Sequence, residues 1–355
     1  MKTIALVMIV KNEESVIDRC LKSVSHMVDE IIILDTGSTD RTKTIAQGYG
    51  AKIFDWTWNN NFSDARNTAL AHSTCDWNLV LDADEYIDND CSENIREFIN
   101  KQNAIGKIKL VNQFKGNDGE LSYAHGFVSR MFPAGIRYEG HIHEQLISDL
   151  PRISVSVEAH HDGYMESKAD RNIPILQAEI DSNPRDAYFL FQIAKEFRGI
   201  EDHVQACEHL YKAYSLLDKS ENYAPNVIVN LLYEIIATER YEDGLPIISR
   251  EREWLHDFTD FHFVCGVLYM KLILNNTAKY VGLLPLIEQS YLKCLQIGDT
   301  DQYECVYGTG SFSALHNLGS LYEVMGKLDK AKQCYQEASA KFDYEPSGRR
   351  LELLK

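Results

Sequence analysis

A chain of 355 residues, 45% hydrophobic and 25% charged with 20 Gly and 8 Pro, has room for two ordinary domains and too much apolar character to be disordered or fibrous. Its 53 Asp and Glu against 36 Lys and Arg leave a net charge of −17, which argues against nucleic acid as a main partner because phosphate binding needs a basic face. Eight Cys are scattered without a C-x-x-C spacing, the pattern of reduced, packed thiols in a cytosolic protein rather than of a disulfide framework or a zinc site.

The first apolar run, Ile4–Val10, is too short to span a membrane and lacks a small-residue cleavage site, so it reads as a buried first strand over residues 3–10. No other stretch reaches spanning length, and the expectation is a cytoplasmic protein without a membrane span. Residues 14–24 carry Val16, Ile17, Cys20, Leu21 and Val24 at helical spacing, with Ser15 placed to cap them. Strands follow at 30–34 (EIIIL), 51–54 and 77–81 (WNLVL), with a helix at 63–71 between the last two. This alternation predicts a mostly parallel sheet with helices on both sides. Residues 107–111, 122–132, 142–147 and 153–157 read as short strands without intervening helices, which predicts an antiparallel extension.

From about residue 167 the chain becomes helical and repetitive. Residues 187–217, 227–255, 261–297 and 313–342 each hold two amphipathic stretches around a turn. The last is clearest: Leu318, Gly319 and Tyr322 on one helix, Gly326 at the turn, and Ala331, Tyr335 and Ala338 on the next. It resembles the tetratricopeptide repeat, whose Tyr and Ala positions are first of all packing positions of a solenoid; a peptide-binding groove is the second reading.

Four segments carry chemistry. Residues 79–86 (LVLDADEY) place Asp82, Asp84 and Glu85 at the C-terminal end of a buried strand, the edge where open α/β sheets bind ligands. Strand alternation would point Asp82 and Asp84 the same way. Clustered carboxylates repel each other unless a cation or a proton sits between them, and oxygen ligands of this kind suit Mg2+ or Mn2+, which also bind substrate phosphates; the plainer reading is an acidic turn capping the next helix. Residues 33–42 (ILDTGSTDRT) put Asp35 before a small polar turn, in which Ser38 or Asp40 could simply cap a helix. Val10, Asn12 and Glu13 end the first strand. Ala65, Arg66 and Asn67 lie near the start of the helix that precedes the acidic strand.

In this order the segments resemble family 2 glycosyltransferases of the GT-A fold, whose hallmarks are a strand ending in Asn-Glu, an Asp before a Gly-Ser-Thr-Asp turn, an Ala-Arg-Asn helix and an Asp-x-Asp metal motif. The resemblance covers roughly the first 165 residues. It implies an α/β GT-A catalytic domain over 1–166 followed by an all-α, tetratricopeptide-like domain over 167–355. It further implies a nucleotide-sugar site lined by Val10, Asn12, Glu13, Asp35, Arg66 and Asp82, with Asp84, and Asp82 beside it, holding the metal against the diphosphate. The Gly140-His141-Ile142-His143-Glu144 run resembles a Gly-x-x-His-Glu segment of short bacterial members, which would make Glu144 the general base for the acceptor; a polar edge strand with surface His is the alternative. In His160-His161-Asp162-Gly163-Tyr164 the resemblance implies that a His could complete the metal site. Adjacent residues of an extended segment point opposite ways, so one of His160 and His161 would reach it; alternation alone does not choose between them, and His161 is the candidate.

Processive polymer synthesis at a membrane is not expected, because there is no Gln-x-x-Arg-Trp motif and Glu201-Asp202 lies in the helical region. A catalytic domain joined to a helical-repeat tail is similar to bacterial enzymes that glycosylate peptides, bacteriocin precursors on Cys or Ser included, and to enzymes that extend lipopolysaccharide cores. The partners implied are a nucleotide-sugar donor, by default a UDP-sugar, and a polypeptide or glycan acceptor. The helical domain offers a surface for a homodimer. A nucleotidyltransferase would want a Gly-rich basic loop near the N-terminus, and residues 7–15 (VMIVKNEES) hold no Gly. A non-enzymatic scaffold with a decayed transferase domain sits poorly with an intact Asp82 and Asp84.

Overall fold

The computed structural model describes residues 1–115, 121–162, 168–300 and 304–354. The chain divides into two compact units, Met1–Ser167 and Lys168–Lys355. Gly163, Tyr164 and the boundary read at residue 166 lie outside the described residues.

The first unit opens with β1 (Ile4–Val10), α1 (Ile17–Val24), β2 (Glu30–Asp35), α2 (Thr42–Gly48), β3 (Lys52–Asp55), α3 (Phe62–Ala71) and β4 (Trp77–Val80). Strand β1 is buried along its length because both its faces are covered. Ile4, Leu6, Met8 and Val10 pack with Ile17, Leu21 and Val24 of α1, while Ala5 and Val7 pack with Ala65, Ala69 and Leu70 of α3. After β4 come β5 (Glu85–Ile87), α4 (Ser92–Lys101), β6 (Ile105–Lys115), β7 (Leu121–Pro133), β8 (Arg137–Glu139), β9 (Gln145–Ile147) and β10 (Arg152–His161). Within this unit the strand order is β3-β2-β1-β4-β7-β6-β10-β5, with β8 and β9 forming a separate ribbon. Strands β3, β2, β1 and β4 run parallel.

Among the elements of this unit the structure departs from the sequence reading at several points. The extension is not wholly antiparallel: β7 runs antiparallel to both β4 and β6, but β10 lies parallel to β6. The strand expected at 142–147 is confined to β9, because the preceding residues bend, with His143 at φ 52. Ser15 does not cap α1, whose N-cap is Val16 without a side-chain hydrogen bond; the Glu13 carbonyl accepts from the Val16 and Ile17 N–H groups instead.

The second unit is tetratricopeptide-like and, in its described residues, helical apart from one two-residue strand, β11 (Cys305–Val306), where the sequence reading is all-α. Its helices pair as α6 (Ala187–Gly199) with α7 (His203–Leu216), α8 (Ala224–Ala237) with α9 (Gly244–Glu251), α10 (Thr259–Asn275) with α12 (Leu284–Ile297), and α13 (Phe312–Val324) with α14 (Leu328–Phe342). Helix α5 (Ala169–Ser182) precedes them, α11 (Thr277–Tyr280) lies within the third pair and α15 (Glu345–Leu353) follows. Among the described residues no helix is long and apolar enough to cross a membrane. In the last pair Gly319 lets the buried Tyr335 ring lie on the α13 backbone: a Cβ there would stand 2.7 Å from that ring. Gly266 and Tyr291 repeat the arrangement between α10 and α12, which places the same packing rule in a pair whose sequence matches the repeat only loosely. Gly319→Ala is expected to destabilise this unit by about 1–3 kcal/mol through overpacking, read as a lower urea midpoint; an unchanged midpoint contradicts that packing.

Helix α10 also carries Asp260, buried, accepting hydrogen bonds from Thr309 Oγ1 (2.5 Å) and the Val306 N–H (2.9 Å). Burial raises its carboxyl to about 7; the two hydrogen bonds oppose the rise, and Asp299 and Glu304 add to it. A carboxyl raised in the folded state contributes stability that is complete below its ordinary value of 3.8 and is lost as the pH climbs from there through about 7. Asp260→Asn cannot ionise, so its stability relative to wild type should rise across that window, by on the order of a few kcal/mol. Parallel stability–pH curves for the two proteins contradict this.

Candidate active site

The C-terminal edge of the parallel strands gathers the sequence motifs. Asp35 ends β2 opposite Val10 at the end of β1. One carboxylate oxygen of Asp35 accepts from the N–H groups of Gly37 (3.0 Å) and Ser38 (2.8 Å), a local turn that short acidic side chains favour. Its other oxygen, Oδ2, is buried with no hydrogen-bond partner among the described residues. Such an atom costs free energy unless a ligand supplies a donor.

The Asn-Glu and Gly-Ser-Thr-Asp segments are laced to each other. Asn12, at φ 56, turns the chain out of β1; its Oδ1 accepts from the Thr39 N–H (2.8 Å) and its own N–H donates to Ser38 Oγ (2.9 Å). The Glu13 N–H donates to Thr42 Oγ1 (2.7 Å), and the Val10 carbonyl accepts from the Thr36 N–H and hydroxyl. Ser38 therefore serves this lacing and not a helix cap, while Asp40 Oδ1 accepts from the Thr42 N–H and hydroxyl just before α2. The N-cap of α2 is Arg41, without a side-chain bond.

Helix α3 starts at a capping Asn61, which accepts from the Asp64 N–H. Each residue of its motif has a different task. Ala65 packs into the core, and Asn67 makes a reciprocal pair of 2.9 Å hydrogen bonds with the Tyr138 backbone. Ser63 donates to the Gly140 carbonyl (2.5 Å), and the Phe62 N–H donates to the His141 carbonyl (2.8 Å). The 138–144 segment is thereby bound to the helix. Arg66 then reaches both ways: Nε donates to Glu144 Oε1, and Nη2 donates to Asp82 Oδ1 at 2.9 Å.

The acidic segment is not a strand edge. Strand β4 stops at Val80, and residues 82–85 form a turn closed by the Glu85 N–H on the Asp82 carbonyl (3.0 Å). The expectation that Asp82 and Asp84 share a direction is corrected, since alternation does not apply in a turn. Both oxygens of Asp82 face guanidinium groups, Arg66 on one side and Arg130 of β7 on the other (2.9 Å each). Burial works against the Asp82 charge, but the two guanidinium groups prevail and hold its carboxyl far below the ordinary range. Asp84 goes elsewhere: its Oδ2 lies 3.4 Å from His161 Nε2, and His161 Nδ1 lies 3.0 Å from Asn112 Oδ1. Burial opposes the His161 charge, yet Asp84, with Glu85 and Asp82 behind it, raises the imidazole above its ordinary 6.5. His160 turns away, to Asp88 (3.2 Å) and Glu158 (3.4 Å), with its ring stacked on Tyr86.

Arg130 and Tyr138 were missed in the sequence. The Arg130 Nη2 also donates to the buried Glu85 (2.5 Å), and burial takes the Tyr138 phenol up to about 12 with Arg66 and Arg130 opposing. The one available signal for Arg130 was a lone cation two residues before the apolar end of a strand. Among the described residues no three His, Cys, Asp or Glu side chains are close enough to hold an ion alone. Asp84 and His161 supply one oxygen and one nitrogen donor, which suits a divalent ion that takes its remaining ligands from substrate phosphates and water.

Known proteins resemble the chain in both its parts. A TPR repeat-containing protein of Synechococcus elongatus is 31% identical over 267 residues, 69% of this chain and 64% of its own. The glycosyltransferase SunS of Bacillus phage SPbeta is 28% identical over 233 residues, 59% of this chain and 53% of its own. The chain thus spans between about half and two-thirds of the length of these relatives. Among solved structures, a glucosyl-3-phosphoglycerate synthase from Mycobacterium tuberculosis is similar at 25% identity over 31% of this chain and 44% of that one, with a TM-score of 0.26. Residues 5–158 match the model of glycosyl transferase family 2, nearly the whole first unit, and that unit is a family 2 glycosyltransferase domain.

Proposed function

We propose that the chain is a metal-dependent, inverting glycosyltransferase that moves a sugar from a nucleotide-diphosphate donor, a UDP-sugar, to a Cys, Ser or Thr side chain of a polypeptide. The observation that carries this reading is the pairing of Asp84, in the turn that follows β4, with His161, together with Asp35 at the end of β2, whose Oδ2 is buried and without a partner among the described residues. A uracil ring supplies the N–H donor that this oxygen lacks. The lacing of Asn12, Glu13 and Ser38 shapes the loop beside it, and Val10 lies next to Asp35 in the sheet register.

Asp84 and His161 would hold Mg2+ or Mn2+, and Asp82, engaged by two guanidinium groups, would orient the turn. When bound, the ion supplies positive charge to the departing diphosphate. Glu144 takes the acceptor proton: a carboxylate has about four lone-pair positions and Arg66 occupies one. The acceptor attacks the sugar face opposite the diphosphate, so the anomeric centre inverts in one displacement. The helical-repeat unit offers an extended surface for a polypeptide acceptor, and relatives named for TPR repeats and for glycosyl transfer support the pairing of the two parts.

Incubation with UDP-, GDP- and CMP-sugars in Mn2+ tests the donor class. Slow release of UDP from one UDP-sugar, abolished by chelation, is the expected result; release that chelation leaves unchanged contradicts the metal assignment. Sugar transfer to glycan fragments but not to Cys-, Ser- or Thr-containing peptides would replace the polypeptide acceptor with a glycan.

A further inference from the structure

We infer that Arg130 is a positioning residue: by bridging Asp82 and Glu85 it fixes the acidic turn so that Asp84 faces His161. The use of that geometry rests on the transferase reading above, while the geometry itself is independent of it. Three carboxylates fall within residues 82–85, and without cations they repel one another. Asp84 meets His161, and the other two share Arg130. Strand β7 lies beside β4 with Met131 opposite Leu79, so Arg130 emerges next to the point where β4 ends. Its Nη2 sends its two N–H bonds to different carboxylates, Asp82 Oδ2 at 2.9 Å and Glu85 Oε1 at 2.5 Å.

The turn is tied from within as well. The Asp82 N–H donates to Glu85 Oε2 (3.0 Å), and the Glu85 N–H donates to the Asp82 carbonyl. Arg130 thus closes a ring of contacts around a four-residue turn whose remaining carboxylate, Asp84, is the one left to face the imidazole. Arg66 holds the other Asp82 oxygen, so Asp82 has no oxygen outside guanidinium contact. Asp82 acts through Arg66 and Arg130, and Asp84 is the metal ligand of the turn. A guanidinium can aim two N–H bonds from one fixed plane; an ammonium supplies charge without that fork.

Amide hydrogen exchange on the full chain, without ligand, tests this in Arg130→Lys and Arg130→Met. Exchange across residues 82–87 should quicken at least tenfold in Arg130→Met and by less in Arg130→Lys, with peptides from β1 and β2 unchanged. Paired titrations add a readout that a merely structural role would not move. The Mn2+ concentration for half-saturation at fixed UDP should rise about tenfold in Arg130→Met, while UDP affinity without Mn2+ stays at the wild-type value. Unchanged exchange at 82–87, or equal acceleration throughout β1 and β2, overturns the inference. Should Arg130→Met not fold, wild-type exchange and wild-type Mn2+ affinity in Arg130→Lys overturn it equally. Wild-type protein that binds neither UDP nor Mn2+ would instead sink the transferase reading and leave the exchange result to decide the role of Arg130.

Discussion

Asp84→Asn is expected to lower metal-dependent donor turnover by roughly a thousandfold, because an ion at a departing diphosphate contributes several kcal/mol and about 4 kcal/mol is three decades of rate. The side chain sits in the turn with its oxygen 3.4 Å from His161, and the amide keeps the shape while removing the charge. The fold should survive, since Asp82, Glu85 and their arginines keep their contacts. Initial rates of UDP release over a Mn2+ series check this. A variant within tenfold of wild type at every Mn2+ concentration would remove Asp84 from the metal site. His161→Gln should shift the same metal curve less steeply, as a single neutral donor is lost and the carboxylate remains.

The largest loss of stability is expected at Arg66. Its side chain is 9% exposed and spans Asp82 and Glu144, whose own side chain is 10% exposed. Burial disfavours the guanidinium charge, and Asp82 with Glu144 more than restores it. Arg66→Met leaves Asp82 with Arg130 but strips Glu144 of this partner. Removing one member of a buried pair costs about 3 kcal/mol, visible in urea unfolding followed by Trp fluorescence. Glu144→Gln added to Arg66→Met should return much of that loss, because no charge is then stranded. If the two substitutions are additive, the pair does not carry the stability assigned to it.

Much of this arrangement was legible in the residues. A run as apolar as Ile4–Val10 has to be covered on both sides, and it is, by α1 and α4 on one face and α3 on the other. The Leu318-Gly319 and Tyr335 spacing fixed a helix pair because a ring can lie only where a Cβ is missing. Less was legible wherever partners come together through sheet order. Arg130 meets Asp82 only because β7 inserts next to β4, a neighbour relation that no local pattern encodes. The fate of Asp82 was hidden for a related reason: period-two reasoning assumes that a strand continues, and β4 stops at Val80. The parallel pairing of β6 with β10 was equally out of reach, since a strand reads alike in either direction. Adjacent histidines on an extended strand do diverge, and in β10 it is His161 that meets Asp84 while His160 meets Asp88.

The most direct test of the central claim is the melting temperature of wild type and Asp84→Asn with UDP-, GDP- and CMP-sugars, each with and without Mn2+. A donor that binds the folded state raises the melting temperature by mass action, with no acceptor needed. The account predicts a shift from the UDP class that requires Mn2+ and vanishes in Asp84→Asn. No shift from any donor, or one that Asp84→Asn retains in full, would contradict it.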